Sequence, residues 1–292
     1  MITVTACAVC GSTKLSPFSR EAPGPDYLHS AQVRCRACGL FISQPRADVA
    51  EMDAYYRSRY YETHWADAEP LWQLNLRMHA RHTLPALDRL AGAWMPKPGS
   101  RVLEVGCGYG SMLMSMARRG YRVIGTELSA KAAVFCQSKG LDVVISRVPP
   151  VRPGSFDVVI ARHVIEHVSD PREFVQTLVA ATRPGGVIYV ETENNWISQY
   201  VWDSIRARAL GRPRPFRSSR DHTYVFAARH LERLLREAGC SDVHTMSFGE
   251  PPDRESLHWR LYKGLFRTID RAMGGGELLA AAGRLPLRES AS

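Results

Sequence analysis

The sequence predicts an α/β protein: a parallel sheet wound with helices on both faces, preceded by a small metal-stapled unit. Three observations lead there. From residue 100 onward, short apolar runs rich in Val and Ile alternate with helix-length segments. The first of those runs opens into three closely spaced glycines ahead of a helix. Upstream of both lie two C-x-x-C pairs. Apolar types make up 45% of the 292 residues and charged types 23%, which excludes a mostly disordered chain and leaves room for about two domains.

The front end comes first. Cys7 with Cys10 and Cys35 with Cys38 are separated by 24 residues, and each pair runs into glycine, as CAVCG and CRACG. A tight turn lets both sulfurs of a pair face one ion, and the glycine relieves crowding as backbone amides turn towards sulfur. Four thiolates suit tetrahedral zinc and leave no open position, so the metal is expected to be structural. Reduced free thiols and an iron site are the alternatives. Cys107, Cys136 and Cys240 read as ordinary apolar or half-buried residues.

Residues 1–48 therefore form a zinc unit. Residues 49–98 read as a helical linker or lid, with Leu71, Leu74, Leu76, Met78, Leu84, Leu87 and Leu90 at mostly helical spacing. The cluster Tyr55, Tyr56, Tyr60, Tyr61, Trp65 and Trp72 packs the zinc unit onto the main domain or forms a lid over a ligand. Pro96, Pro98 and Gly99 mark a boundary. Residues 99–249 then supply strands at RVLEV, YRVIGTE, DVVIS, FDVVIA, GVIYVETE and DVHTMSF. Helices are expected from Ser111 to Arg119, Ala130 to Lys139, Pro171 to Arg183 and Ala227 to Ala238. The run FDVVIA suits a strand buried on both faces. Asp170 is a good N-cap, and Pro171 fits the first helical turn, where a missing amide proton costs nothing. Residues 250–292 read as an amphipathic helix and tail, with Glu277 to Ala282 a further strand candidate.

The glycines carry the first functional signal. Gly106, Gly108 and Gly110 let a ligand approach the backbone ahead of a helix N-terminus. Glu127 follows Gly106 by 21 residues, at the end of the second strand, where a carboxylate can accept two hydrogen bonds from a ribose diol. The pattern implies an adenosine-containing cofactor. A dinucleotide fingerprint is G-x-G-x-x-G, whereas EVGCGYG spaces its glycines G-x-G-x-G. Glu104 also precedes them, and its charge opposes a pyrophosphate but suits a cationic, amino-bearing ligand.

EVGCGYG, Glu127, FDVVIARHVIEHVSDP and the RPGG turn together resemble class I S-adenosylmethionine-dependent methyltransferases, over residues 99 to about 248. CGS…CRACGLFISQPR followed by closely spaced tyrosines is similar to bacterial sugar and natural-product methyltransferases that carry an N-terminal zinc ribbon. The resemblance implies a Rossmann-like, doubly wound, mainly parallel seven-stranded sheet. It implies that Glu104, Gly106, Gly108, Tyr109 and Gly110 hold the methionine part of S-adenosylmethionine, that Glu127 binds the ribose, and that Leu128 lies against the adenine. Ala161, Arg162 and His163 would lie near the sulfonium. The sequence departs from the family after the third strand, where an acid is usual and Ser146-Arg147-Val148 stands instead.

Methyl transfer to a hydroxyl needs alignment, worth on the order of 7–11 kcal/mol, and a base, worth roughly 10²–10⁴-fold. Histidine is the natural base near neutral pH. Two segments supply candidates. RHVIEHV holds His163, Glu166 and His167, and SRDHTYVF holds Asp221 and His222. The second resembles the acid–histidine pair that zinc-ribbon sugar methyltransferases place after the fifth strand, which implies His222 as base and Asp221 as its orienting carboxylate. A plain loop histidine beside a helix-capping aspartate is the alternative. His167 is either the base or a histidine that pins its loop.

The formal charge of +9 favours anionic partners. Arg206, Arg208, Arg212, Arg214, Arg217 and Arg220 form an acid-free stretch, either a solvated loop or a reader of a phosphorylated or nucleotide-linked acceptor. Residues 256–273 carry an i,i+4 apolar stripe flanked by Arg and Lys, suited to core packing, a dimer contact or the surface of a membrane. No apolar run reaches the 18 residues of a membrane span, and MITVTACAVC has no basic start before an apolar run, so a cytoplasmic protein is expected. The leading function is methylation of a small-molecule hydroxyl. RNA methylation and a non-catalytic binding module are the alternatives, and the oligomeric state is left open.

Overall fold

The computed structural model describes residues 2–19, 31–58, 60–63, 67–147, 152–194, 198–212, 221–249, 276 and 278–287. The metal-stapled unit contributes β1 (Leu15–Ser19), β2 (Ala31–Cys35) and β3 (Phe41–Gln44), an antiparallel meander. Next come α1 (Val49–Ser58), the short α2 (Tyr60–Thr63) and α3 (Ala68–Met78). A π turn at His79–Thr83 leads into α4 (Leu84–Ala91), and a 3₁₀ turn closes the segment at Gly92–Trp94. The alternating half then runs β4 (Arg101–Val105), α5 (Ser111–Arg118), β5 (Arg122–Glu127), α6 (Ala130–Ser138), β6 (Val143–Ile145) and β7 (Phe156–Arg162). It continues through α7 (Pro171–Ala181), β8 (Thr182–Glu193), α8 (Ser198–Ala209), β9 (Tyr224–Val225), α9 (Ala228–Glu237), β10 (Asp242–Phe248) and β11 (Leu278–Arg284).

The main sheet has seven strands in the order β10-β11-β8-β7-β4-β5-β6. Strands β4 to β8 pair in parallel, and β11 runs antiparallel to both β8 and β10. This is the doubly wound, mainly parallel sheet that the sequence predicts. Alternation along the strands sorts side chains to two cores. Leu103, Val105, Val159 and Val190 point towards α7 and α9, while Val102, Val158 and Tyr189 point towards α4 and α5. The Asp170 carboxylate accepts from the backbone amides of Arg172 and Glu173, so the expected N-cap of α7 is formed.

The units expected along the chain share their cores. Helix α4 was assigned to the 49–98 linker, but Leu84, Leu87 and Leu90 are buried against Val102 and Val158 of the main sheet. Removing one such leucine would cost about 2–5 kcal/mol. The 250–292 tail is not peripheral, because Leu278–Arg284 slots between β8 and β10 at the centre of one half of the sheet. The remaining amphipathic stretch, 256–273, lies outside the described residues. The N-terminal cysteine unit packs on the main domain. Phe41 and Ile42 of β3 pair with Val225 and Tyr224 of β9, and Val9, Leu40 and Ile42 share the core of α7 and α9. Among the described residues, no helix is long and apolar enough to cross a membrane.

Candidate active site

The four N-terminal cysteines converge. Cys7 Sγ lies 3.6 Å from Cys38 Sγ, and Cys10 Sγ lies 3.5 Å from Cys35 Sγ. All four sulfurs fall within 4.8 Å of one another. Tetrahedral Zn–S bonds of about 2.3 Å would set sulfurs about 3.8 Å apart, so the cage fits zinc, whereas a disulfide would need about 2 Å. The knuckles are mounted on the main domain. His230 accepts from the Ala227 amide at Nδ1, and its Nε2 meets the Cys38 carbonyl at 2.9 Å. Burial pushes this ring down to about 4, so it is neutral and can play both parts. Arg229 donates to the same carbonyl, and Arg172 donates to those of Ala8 and Val9.

The crevice opens at the carboxyl ends of β4, β5 and β7, where parallel sheets present ligand sites. Gly106 has φ +69°, and a Cβ there would sit 2.5 Å from Val164 Cγ2. The loop therefore turns tightly against the segment after β7. Glu127, at the end of β5, is held by the amides of Gly108, Leu128 and Ser129 at 2.8–2.9 Å. The Tyr61 hydroxyl also donates to it at 3.3 Å. Glu104, at the end of β4, is only 3% exposed, and its Oε2 has no hydrogen-bond partner. Burial pushes its carboxyl up to about 8, against the pull of Arg162 and the Leu113 amide. An orphaned buried carboxylate oxygen beside a glycine loop fits a ligand that carries an ammonium group.

A second cluster stands beyond β7 and β8. His163 takes φ +51°, a strained value for a residue other than glycine, and its amide donates to Glu191 O. The amides of Thr223 and Tyr224 bond the carbonyl of Glu166, which brings His222 edge-on to His167 at 4.6 Å between ring centroids. Glu166, His167 and His222 offer atoms within 4.8 Å of one another, a set that could also hold a cation. Burial alone would raise the Glu166 carboxyl, but the His163 hydrogen bond and the charges of His167 and His163 hold it at about 2. Burial, reinforced by His167, lowers His222 below the ordinary 6.5.

Within this cluster the Asp221 carboxylate acts electrostatically on His222 and also faces His167. Its Oδ2 lies 3.5 Å from His167 Nδ1 and accepts from Tyr56 at 3.2 Å. Glu193, from the end of β8, stands 3.5 Å from His222 Nδ1. Asp221 and His222 both meet His167, the first through a carboxylate 3.5 Å from Nδ1 and the second through a ring contact at 4.6 Å. Glu193, Glu191 and His79 were missed by sequence reasoning. The two glutamates carried a usable signal, since they end a strand whose carboxyl end faces the crevice. His79 had none.

The remaining candidates are placed as follows. Arg162 forms an ion pair with Glu191, with Nε 2.8 Å from Oε1. Ala161 is buried in the sheet, Tyr109 packs against Tyr61 at 5.0 Å, and Leu128 is half-buried beside Glu127. The tyrosines Tyr55, Tyr56, Tyr60 and Tyr61 form one chain of touching rings, edge-on or tilted, that runs from His167 to Tyr109 of the glycine loop, as a lid would. Trp65 lies outside the described residues. Arg147 pairs with Asp53 of α1, and Val148 lies outside the described residues. Arg206, Arg208 and Arg212 fall in and just after α8, while Arg214, Arg217 and Arg220 lie outside the described residues.

Comparison with known proteins converges on one family. A family model described as "Methyltransferase domain" matches residues 75–245, more than half of the chain. A ubiquinone biosynthesis O-methyltransferase of Cupriavidus pinatubonensis is 31% identical over 209 residues, covering 67% of this chain and 78% of that protein. One from Aromatoleum aromaticum is 29% identical over 218 residues, 70% of this chain and 88% of its own. The crystal structure of a SAM dependent methyltransferase from Archaeoglobus fulgidus superposes with a TM-score of 0.52 at 19% identity, over 75% of this chain and 100% of that one. At that identity the likeness concerns the fold.

Proposed function

Because this chain belongs to the methyltransferase family, we propose that it is an S-adenosylmethionine-dependent O-methyltransferase acting on a small-molecule hydroxyl, with His222 as the base. The observation that carries the cofactor reading is the pair of acids around the glycine loop. Glu127 presents a carboxylate already oriented by three backbone amides, suited to a ribose diol. Glu104 keeps one buried oxygen without a partner, suited to the cationic amino group of methionine. Hydroxyl acceptors are favoured by the O-methyltransferases among the relatives and by the histidine cluster next to the crevice.

When bound, the cofactor supplies an electrophilic methyl group on a sulfonium. The chain's own residues do the rest. His222 is held below its ordinary pKa and so remains unprotonated at neutral pH, ready to take the hydroxyl proton. Glu193, 3.5 Å from Nδ1, would stabilise the imidazolium that forms through its charge. Asp221 stands 3.5 Å from His167 Nδ1, and Tyr56 donates to that carboxylate. The ring lid formed by Tyr56 and Tyr61 would exclude water from the transfer. Zinc in the four-thiolate cage would hold the N-terminal unit against α7 and α9, away from the chemistry. The domains follow as a zinc ribbon and a helical approach segment, both fused to a sheet that extends to β11.

The acceptor class is tested with labelled cofactor against phenolic acceptors, nucleotide sugars and total RNA. Label entering a phenol or sugar hydroxyl is expected, and label entering RNA alone would reject the small-molecule reading. Calorimetry with S-adenosylmethionine and with NAD tests the cofactor, and saturable NAD binding without sulfonium binding would reject it.

A further inference from the structure

The last residues of the N-terminal unit reach the histidine cluster. The cysteine knuckles all precede β3, and Arg46 follows its other end. A backbone bridge fixes Arg46 in place: its amide donates to the Ile2 carbonyl at 2.9 Å, and its carbonyl accepts from the Ile2 amide at 2.7 Å. The half-buried side chain then spans two segments of the main domain. Nη1 donates to the Tyr224 hydroxyl at 2.6 Å and to the Ser169 carbonyl. The Tyr224 hydroxyl donates to the same carbonyl at 2.8 Å. Both Nη1 hydrogens and the phenolic hydrogen are thereby used. Arg46 Nε is buried without a partner, so the grip runs through Nη1. Burial pushes the Tyr224 phenol above its ordinary range, against the pull of Arg46, so it keeps its hydrogen at neutral pH.

This triangle brackets both histidines. Tyr224 bonds the Glu166 carbonyl through its amide at 3.1 Å and the Ser169 carbonyl through its hydroxyl, and His167 lies between those two carbonyls in the chain. His222 stands two residues before Tyr224, next to the Thr223 amide that also bonds Glu166 O, at 2.8 Å. The N-terminal unit holds the other edge of β9. Ile42 pairs with Tyr224, and the Ser43 amide donates to the Thr223 carbonyl at 2.8 Å. Between these ties the two rings meet edge-on at 4.6 Å, and His167 Nδ1 lies 3.2 Å from the Asp221 carbonyl.

Docking of the unit does not require this arginine, because the β3–β9 pairing and the shared core of Val9, Leu40 and Ile42 already supply it. What Arg46 adds is a charge-assisted tie, roughly twice as strong as a neutral hydrogen bond, between the loop that carries His167 and the strand that follows His222. We propose that Arg46 is a positioning residue for methyl transfer: by tying Ser169 to Tyr224 it sets the contact between His167 and His222. This rests on the reading of His222 as the base. It makes the end of β3, rather than the metal, the part of the N-terminal unit that serves the active site.

The test uses the full-length, zinc-loaded protein with isotope-labelled histidine, saturated with S-adenosylhomocysteine. A nuclear Overhauser contact between the His167 and His222 rings reads their geometry without any acceptor. It should be present in the wild type and weakened or lost in Arg46→Gln and in Tyr224→Phe, with affinity for S-adenosylhomocysteine unchanged. With whichever acceptor takes label in the panel above, kcat should fall about 10–10²-fold, as for a reacting group displaced by about 1 Å. The double variant should be no slower than the slower single one, as for two residues of one network. Added guanidinium ion should restore turnover to Arg46→Ala but not to Tyr224→Phe. Tyr224→Phe removes a single oxygen, so it carries the test should the Arg46 variants fail to fold. An unchanged ring contact in both variants, whether kcat falls or only the melting temperature does, would overturn the positioning role. Loss of the ring contact with kcat unchanged would instead overturn His222 as the base and leave the tie between the two segments in place.

Discussion

Replacing Glu104 by Gln should make the protein more stable and a poorer binder of its cofactor. Glu104 is 3% exposed, and burial raises its carboxyl to about 8, with Glu191 and Glu127 adding to the rise and Arg162 opposing it. In the unfolded chain the same group ionises near 4.5. Between those two values the folded protein holds a proton that the unfolded chain has lost, so stability falls as pH rises. The loss is about 1.4 kcal/mol per pH unit, or about 3 kcal/mol at pH 7. Gln keeps the shape and can still accept from the Leu113 amide, but it cannot ionise. Urea unfolding of both proteins from pH 5 to pH 8 is the assay. The curves should nearly coincide at pH 5 and separate by roughly 3 kcal/mol at pH 7, with the variant more stable. A variant less stable than the wild type, or a gap independent of pH, would refute the reasoning. Calorimetry adds a second readout. A bound ammonium group should ionise Glu104 and release close to one proton per cofactor at pH 7, visible as a dependence on buffer ionisation heat that the variant lacks.

Three further outcomes are expected. His222→Ala should lower turnover by roughly 10²–10⁴-fold while sparing cofactor affinity; because His222 is held below 6.5, the acid limb of the wild-type rate should fall below that pH, and unchanged turnover would remove its role. Metal analysis should find about one zinc per chain in the cysteine cage, and Cys35→Ser should lose it and lower the melting temperature by ~5 °C or more, since the ribbon shares its core with the main sheet. Gly106→Ala forces a side chain into a φ of +69° and against Val164, so a loss of about 1–3 kcal/mol is expected in thermal unfolding, and a neutral effect would mean the loop can relax.

Much of the site was legible because its chemistry is local. A C-x-x-C knuckle, a glycine loop and a strand-ending acid are each defined within a few residues, and in the structure the Gly108 amide donates to Glu127 while Glu104 keeps an oxygen without a partner. The histidine partners were not legible. Asp221 and His222 look like a pair on paper, but the further neighbours that stand 3.5 Å from them, His167 and Glu193, come from segments tens of residues away. Nothing in local spacing selects between them.

Taken by itself, the sequence determined the four-cysteine cluster, the order of strands and helices, and the acids flanking the glycine loop, because short-range backbone geometry dictates all of these. Only the tertiary structure decided that β11 enters the sheet between β8 and β10, that β9 completes the ribbon, and that Arg162 and the π turn face one cavity. Those choices depend on which distant surfaces bury each other, and burial is a property of the folded chain as a whole.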